Sequence, residues 1–299
     1  FRTLKADVMV MTMPDLENYH LKRSQIHDVH YVYLFHALVS THSNYRQAAF
    51  DHYDTIFCTG PFQIDEIRET ERVYNLKPKK LYADGYRRLE SMIADVKQHR
   101  ESKEHRAATN NRTIIVAPSW GEHAILETCG EEVVRVLLDA GYRVIVRPHP
   151  MTTKHSPNLV KGIASRFSTN EKFSMQTDVR DKETLYDSDV MICDWSGVAM
   201  EYAFACERPV IYIDVPQKCN NPESKKISMI PVERSIRVEI GRVVPITAIS
   251  TLPDAIEEIY QNSADFIDNI RQVRGKSVFN LEGSLRGATE ELVRIAGDC

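Results

Sequence analysis

The sequence predicts an α/β protein built on parallel sheets, and three observations predict it. Short runs that are apolar throughout recur along the chain, as in Ile114–Ala117 and Val190–Cys193. Strands of a sheet covered on both faces read this way, whereas half-exposed strands alternate apolar and polar residues. Each run is followed by a stretch with helical spacing, the alternation that marks βαβ units. Size is the third: 299 residues, 42% hydrophobic and 27% charged, suit about two domains with buried cores of their own.

In the first half, Ala6–Thr12 is a strand closed by Met13-Pro14-Asp15, and His30–Phe35 is the next, with His36 where it ends. Asn44–His52 reads as a helix. Thr55–Thr59 is a strand stopped by Gly60-Pro61. A helix follows over Pro61–Tyr74, with proline in its first turn, where a missing N–H has no intrahelical partner to lose. Lys80–Tyr82 is a short strand ending near Asp84-Gly85, and Tyr86–Val96 is a helix. Residues 97–112 are polar and without apolar periodicity, the composition of a linker. Two domains are therefore expected, 1–105 and 106–299.

The second half is more regular. Thr113–Ala117 is a strand, Pro118-Ser119-Trp120-Gly121 a turn, and Glu131–Ala140 an amphipathic helix ended by Gly141. Tyr142–Arg147 is a strand that stops at Pro148-His149-Pro150. A helix over Asn158–Phe167, a short strand over Phe173–Met175 and a short helix over Asp181–Asp187 come next. Val190–Asp194 is a strand, Ser196–Ala205 a helix, Pro209–Asp214 a strand, and Gly287–Ile295 a helix near the end.

The bulk numbers exclude several classes. A net charge of −4 argues against a nucleic-acid binder, which needs a dense basic face; any phosphate ligand must be held by a local site. Six cysteines, at 58, 129, 193, 206, 219 and 299, form no C-x-x-C pair. They read as reduced thiols of a cytoplasmic protein, with Cys58 and Cys193 acting as small hydrophobes in strands. No apolar run approaches the ~20 residues of a membrane span, and no signal peptide is visible. The chain opens at Phe1 directly into a strand-like segment, so preceding sequence is expected. His27, His30, His36 and His42 match neither H-E-x-x-H nor a Cys/His zinc pattern, and no metal is expected.

Open parallel sheets bind ligands at the carboxyl ends of their strands. That rule selects Asp15, His36, Gly60, Asp84, Ser119-Trp120-Gly121, Arg147-Pro148-His149-Pro150, Asp194-Trp195-Ser196-Gly197 and Asp214. Two prolines stiffen the backbone around His149. The Arg147 guanidinium suits the forked recognition of a diphosphate, and the imidazole can hydrogen-bond or protonate a leaving oxygen; the plainer reading is a turn with a surface arginine and a packed histidine. Ser196 can cap a helix whose N-terminus attracts phosphate, Gly197 permits close approach, and Glu201 lies one turn inside. The plainer reading there is a structural cap, and the lone glycine makes neither a P-loop nor a dinucleotide fingerprint. His36 at a strand end is a candidate general base, against the fact that 11 histidines leave room for chance placement. Ser284 and Arg286, before the last helix, repeat the pairing of hydroxyl and cation at a helix start, or simply cap it.

Taken in order, Ala117-Pro118-Ser119-Trp120-Gly121, Arg147-Pro148-His149-Pro150, Asp194 to Tyr202, Arg208-Pro209-Val210-Ile211-Tyr212 and Glu282-Gly283-Ser284 resemble the CDP-glycerol glycerophosphotransferase family, the teichoic-acid primases and polymerases. The resemblance runs from about residue 30 to the end. It implies a GT-B-like architecture of two Rossmann-like domains with an inter-domain cleft. It also implies a CDP-linked polyol phosphate donor held mostly by the C-terminal domain, and no cofactor. The family's R-x-H motif falls on Arg147 and His149. Its W-H-G-type motif falls on Tyr33-Leu34-Phe35-His36-Ala37, with Phe for Trp and Ala for Gly. Its D-Y-S-S is Asp194-Trp195-Ser196-Gly197 here, one hydroxyl fewer.

The mechanism so implied is polyol-phosphate transfer. His36 takes the proton of an acceptor hydroxyl, the oxygen attacks the β-phosphorus, and CMP leaves. His149 is the second catalytic residue, and Ser119, Trp120, Gly121, Arg147, Asp194, Ser196, Gly197, Glu201, Ser284 and Arg286 line the donor site. The acceptor is a surface polymer or lipid-linked chain, which places the enzyme in the cytoplasm with peripheral contact at the inner face of the membrane. Two alternatives stay open: a nucleotide-sugar glycosyltransferase on the same fold, and a non-catalytic nucleotide-binding module. The polyol and the oligomeric state are not encoded in any motif.

Overall fold

The computed structural model describes residues 1–103, 112–281 and 283–298. The chain divides into two compact units, each assembled from separate stretches. The first comprises Phe1–Ser91, Cys219–Ser235 and Arg274–Cys299; the second comprises Met92–Lys218 and Ile236–Val273.

The first unit holds a four-stranded sheet of β1 (Val8–Met11), β2 (His30–Leu34), β3 (Thr55–Cys58) and β4 (Lys80–Ala83), in that order and parallel throughout. Strand alternation sends Tyr31 and Tyr33 to one face, into an aromatic core with Phe35, Phe50 and Tyr53. Ring centroids there lie 4.9 to 5.2 Å apart along Tyr33–Phe35, Tyr33–Phe50 and Tyr33–Tyr53, mostly edge to face, the arrangement the ring quadrupole favours. The other face carries Val32 and Phe57, which pack with Ala288 and Leu292 of the helix Ser284–Asp298.

Two sequence expectations change here. The helix expected over 44–52 is a single turn, Thr41–Asn44, followed by consecutive tight turns, Ala49 N to Arg46 O and Tyr53 N to Phe50 O. Ala48 at φ 63° cannot continue a right-handed helix, and the turns deliver Phe50 and Tyr53 into the aromatic core. The stretch read as linker from residue 97 is in part helical, since the helix Arg87–Lys103 runs through it. Its polar second half is anchored by His99 to Asp187 (2.7 Å) and by Arg100 to the Cys206 carbonyl; tertiary hydrogen bonds replace apolar periodicity there. The compact units thus part at Ser91 and Met92, inside this helix.

Gly60, which stops β3, has a different reason to be glycine from the turn alone. A Cβ there would lie 1.9 Å from the Ser277 carbonyl oxygen, because the chain returning to the last helix crosses at this point and Phe279 N donates to Thr59 O (2.8 Å).

The second unit holds a six-stranded parallel sheet of β5 (Thr113–Val116), β6 (Arg143–Val146), β7 (Phe173–Met175), β8 (Val190–Cys193), β9 (Val210–Asp214) and β10 (Gly241–Pro245), in the order β10-β9-β8-β5-β6-β7. Counted from β5, this is the 3-2-1-4-5-6 order of doubly wound dinucleotide folds. Val133, Val134 and Leu137 of the helix Gly130–Asp139 pack with Ile114, Val116, Val144 and Val146, and with Leu252, Ile256 and Ile259 of the helix Leu252–Gln261. The helix Val198–Cys206 is buried from Ala199 to Cys206 and packs on β8. Among the described residues, no helix is long and apolar enough to cross a membrane.

Candidate active site

In the six-stranded sheet the chain runs outward from β5 to β7 and then crosses to β8 on the other side, so the strand order reverses between β5 and β8. Neighbouring strands whose connections leave in opposite directions open a crevice at their carboxyl ends. The loops leaving there carry Ser119-Trp120-Gly121 and Asp194-Trp195-Ser196-Gly197.

Asp194 ties the two loops together. It is 1% exposed. One carboxylate oxygen accepts from Ser119 N (2.7 Å) and Trp195 N (2.6 Å), the other from Ile125 N (3.1 Å). Its oxygens accept from backbone N–H groups of both loops, so Asp194 shapes the crevice. Ser119 is buried and contributes its N–H to this tie. Gly121 sits at φ 120°, where only glycine is unstrained. A Cβ would meet nothing there, so the demand is the backbone's alone.

Trp120 is the exposed member of the loop, at 36%. Lys218 Nζ stands 3.9 Å from the centre of its ring and donates to its carbonyl (3.0 Å). Trp120, Gly121, Trp195, Val215, Pro216 and Lys218 are among the residues lining a hollow of about 110 Å³. The Trp195 indole is held as a wall: Nε1 donates to the Val215 carbonyl (3.0 Å), and the Arg237 guanidinium stacks 4.2 Å from its ring while pairing with Asp214 (2.9 Å).

His149 stands beside Trp120, ring centroids 6.1 Å apart, and occupies the N-cap of the helix Pro150–His155. Its Nδ1 accepts from Met151 N (3.1 Å), which leaves the proton of the neutral ring on Nε2. Burial holds its pKa below the ordinary value; the Lys218 charge adds to this and Asp194 opposes it. At neutral pH the ring is therefore a neutral N–H donor. Burial also lowers the Lys218 ammonium, against Asp194 and Glu127.

Arg147, two residues earlier, turns elsewhere. Its guanidinium donates to the carbonyls of Val179 (2.6 Å) and Asp181 (2.9 Å) and reaches Gln176 Oε1 at 3.4 Å. It clamps the loop that follows β7, and it is not among the residues lining the hollow. Ser196 is not the cap expected of it: the helix starts at Val198 with Gly197 in the N-cap position and no side-chain cap. Glu201, in the first turn, is buried. Ser284 begins the last helix, but the side chains of Ser284 and Arg286 lie outside those described.

In the first unit, His36 is exposed just beyond β2. Phe35 before it is buried against Tyr33 and Phe50, and the Tyr86 hydroxyl donates to the His36 carbonyl (2.9 Å). The backbone is fixed on both sides of an outward ring. Sequence reasoning missed Lys218 and the wall role of Trp195. The signal for Lys218 was present, since it follows β9 by four residues and the strand-end rule had already selected Asp214.

Two parallel sheets, the larger in doubly wound order, define the class: an α/β protein of the GT-B kind. The wall teichoic acid polymerase TagF has a similar structure, with a TM-score of 0.62 at 14% identity over 98% of this chain and 73% of that one. So does a UDP-GlcNAc 2-epimerase from Methanocaldococcus jannaschii, at 0.51 and 16% identity over 83% and 68%. A glycosyltransferase from Rickettsia africae matches at 0.51 and 13% over 97% and 76%. At such identities these likenesses establish the fold. The model of the CDP-glycerol:poly(glycerophosphate) glycerophosphotransferase family matches residues 36–217, and the chain belongs to that family. No curated protein sequence matches it.

Proposed function

We propose that the chain transfers glycerol phosphate from CDP-glycerol to a hydroxyl of a glycerophosphate polymer or lipid-linked acceptor in wall teichoic acid synthesis, releasing CMP. The observation that carries this reading is the switch-point crevice of a family member. There Trp120, Lys218 and a neutral His149 N–H donor converge at the strand ends where a nucleotide diphosphate binds. TagF, the similar structure, was solved after a soak with CDPG.

His36 accepts the proton of the acceptor hydroxyl, whose oxygen forms the new bond to the β-phosphorus. The bond from that phosphorus to the bridging oxygen breaks, and CMP takes the electron pair. His149 Nε2–H, Lys218 and the N–H groups opening the helix Val198–Cys206 stabilise the charge that grows on the leaving phosphate. Arg147 supports this site through the 176–181 loop or, once released from it, by direct contact. Ser284 and Arg286 remain candidates for the same phosphate.

The test is an assay of CMP release from CDP-glycerol. His149→Ala, checked for folding, is expected to lose about a hundredfold or more in rate, the usual cost of one transition-state donor; a variant that keeps the full rate removes His149 from the mechanism. Release of CDP in place of CMP would mean cleavage at the glycerol carbon, and turnover of a nucleotide sugar with release of its nucleoside diphosphate would identify sugar transfer instead.

A further inference from the structure

The loop after β2 carries His36 and is fastened by side chains outside the motifs read from the sequence. The Tyr86 hydroxyl donates to the His36 carbonyl (2.9 Å). Gln63, fully buried, donates through Nε2 to the carbonyls of Ala37 and Val39 (3.3 Å each). Its Oε1 accepts from Thr59 N (2.8 Å) and Thr59 Oγ1 (3.0 Å), so the amide bridges this loop to the end of β3. Glu233 Oε1 accepts from Ser40 N (2.7 Å) and from the Asn44 amide. Glu66 Oε2 accepts from Thr41 N and from Thr41 Oγ1 (2.8 Å). Asn221 Nδ2 donates to the His42 carbonyl (2.9 Å).

These groups are costly to bury. Glu66 is 1% exposed and Glu233 8%, and the second Glu233 oxygen is buried with no hydrogen-bond partner. A helix cap or a core methyl would fasten a loop with less desolvation. Two buried carboxylates and a buried amide all bind the peptide groups of residues 37–41, directly after an exposed histidine. That concentration fits a demand for exact placement better than a demand for stability.

We infer that Glu233, with Gln63 and Tyr86, is a positioning residue for His36: it fixes the backbone that aims the imidazole at the acceptor hydroxyl. The inference rests on reading His36 as the base. Glu233 does not touch substrate. A shift of about 1 Å in a catalytic group can cost on the order of a hundredfold in rate, so the effect falls on turnover and leaves donor binding alone.

The experiment measures CMP release from CDP-glycerol for Glu233→Asp, Glu233→Gln, Tyr86→Phe and His36→Ala, and for Glu233→Asp combined with His36→Ala. Each variant is checked for folding by its melting curve. Aspartate withdraws the carboxylate from Ser40 N, and kcat is expected to fall about tenfold or more with the donor KM unchanged within about twofold. Glutamine keeps an acceptor for Ser40 N and restores most of the rate. In the His36→Ala background, Glu233→Asp costs nothing further, because what it positions is gone. Tyr86→Phe keeps the ring packed and removes only the bond to the His36 carbonyl; it shows the same kcat loss and serves if the aspartate variant fails to fold. A folded Glu233→Asp or Tyr86→Phe variant with wild-type kcat overturns the inference, as does an equal further loss in the His36→Ala background. Full activity of His36→Ala overturns the assignment of the base itself, a separate result.

Discussion

Both oxygens of Asp194 go to backbone N–H groups of two loops that the sequence holds some seventy residues apart. Replacement by alanine would leave three N–H groups without that acceptor, and a buried donor that loses its partner costs about 1–3 kcal/mol. Asp194→Ala is therefore expected to destabilise the protein by roughly 3 kcal/mol or more, read from the denaturation midpoint, and to abolish binding of CDP-glycerol. Asp194→Asn keeps one acceptor oxygen but turns an amide donor toward Ile125 N or toward Ser119 N and Trp195 N, so it is expected to be intermediate. The strand-end rule found this residue from sequence, and the structure shows its oxygens accepting from backbone N–H groups. A carboxylate's position is legible in a pattern, whereas the choice between ligand and backbone N–H is decided by a loop that folds back on it. The stiff backbone at His149 was legible for a physical reason: two flanking prolines constrain it wherever it is placed. His36 was legible only through its strand end, and Gln63, Glu66 and Glu233 not at all, because what they hold is backbone and backbone is the same in every sequence.

Among the elements, the strands of the second unit followed their apolar runs closely, as with β5, β6 and β8, because strands covered on both faces leave little else for such runs to be. β10 escaped notice: Gly241-Arg242-Val243-Val244-Pro245 is short, opens on glycine and closes on proline, and sits at the sheet edge, where proline is tolerated. The helix expected over 44–52 failed because aromatic burial, not periodicity, dictates that stretch. The loop after β7 makes its own prediction. Arg147 supplies hydrogen bonds to the carbonyls at 179 and 181, so Arg147→Ala is expected to loosen it. Limited trypsin digestion should then cut after Arg180 or Lys182 severalfold faster than in the wild type, where local opening is the slow step. Unchanged digestion would mean that the loop is held by other contacts.

At the scale of the whole molecule, two buried carboxyls make stability depend on pH. Burial pushes Glu233 from an ordinary 4.5 up to about 7; the Glu66 charge adds to this, and backbone N–H groups, His42 among the side chains, oppose it. Tyr45 also faces it. Burial raises Asp84 from 3.8 to about 6, against Arg87. Between the lower and upper value of each, the folded protein keeps a proton that the unfolded chain has released. The folded state then binds more protons, so stability falls as pH rises through that window. The wild type is expected to lose stability relative to Glu233→Gln from about pH 4.5 to 7, measured as the difference in urea midpoints. A constant difference across that range would place the Glu233 proton elsewhere. Sequence alone could not have shown this, since the burial comes from residues 219–235 returning to the first unit, and no local pattern announces a return.

The helix Ser284–Asp298 covers Val32 and Phe57 through Ala288 and Leu292, and this fixes a timetable. Translation at about 5–20 residues per second reaches Ala288 some 10–50 s after Phe57 has left the ribosome's catalytic centre. For that interval the first sheet is written but Val32 and Phe57 lack this cover. Its apolar strands must wait, shielded by the ribosome or a chaperone, while the second unit, whose sheet and covering helices lie between Met92 and Val273, is free to finish first. Of the two units, the one whose strands are made first is completed second.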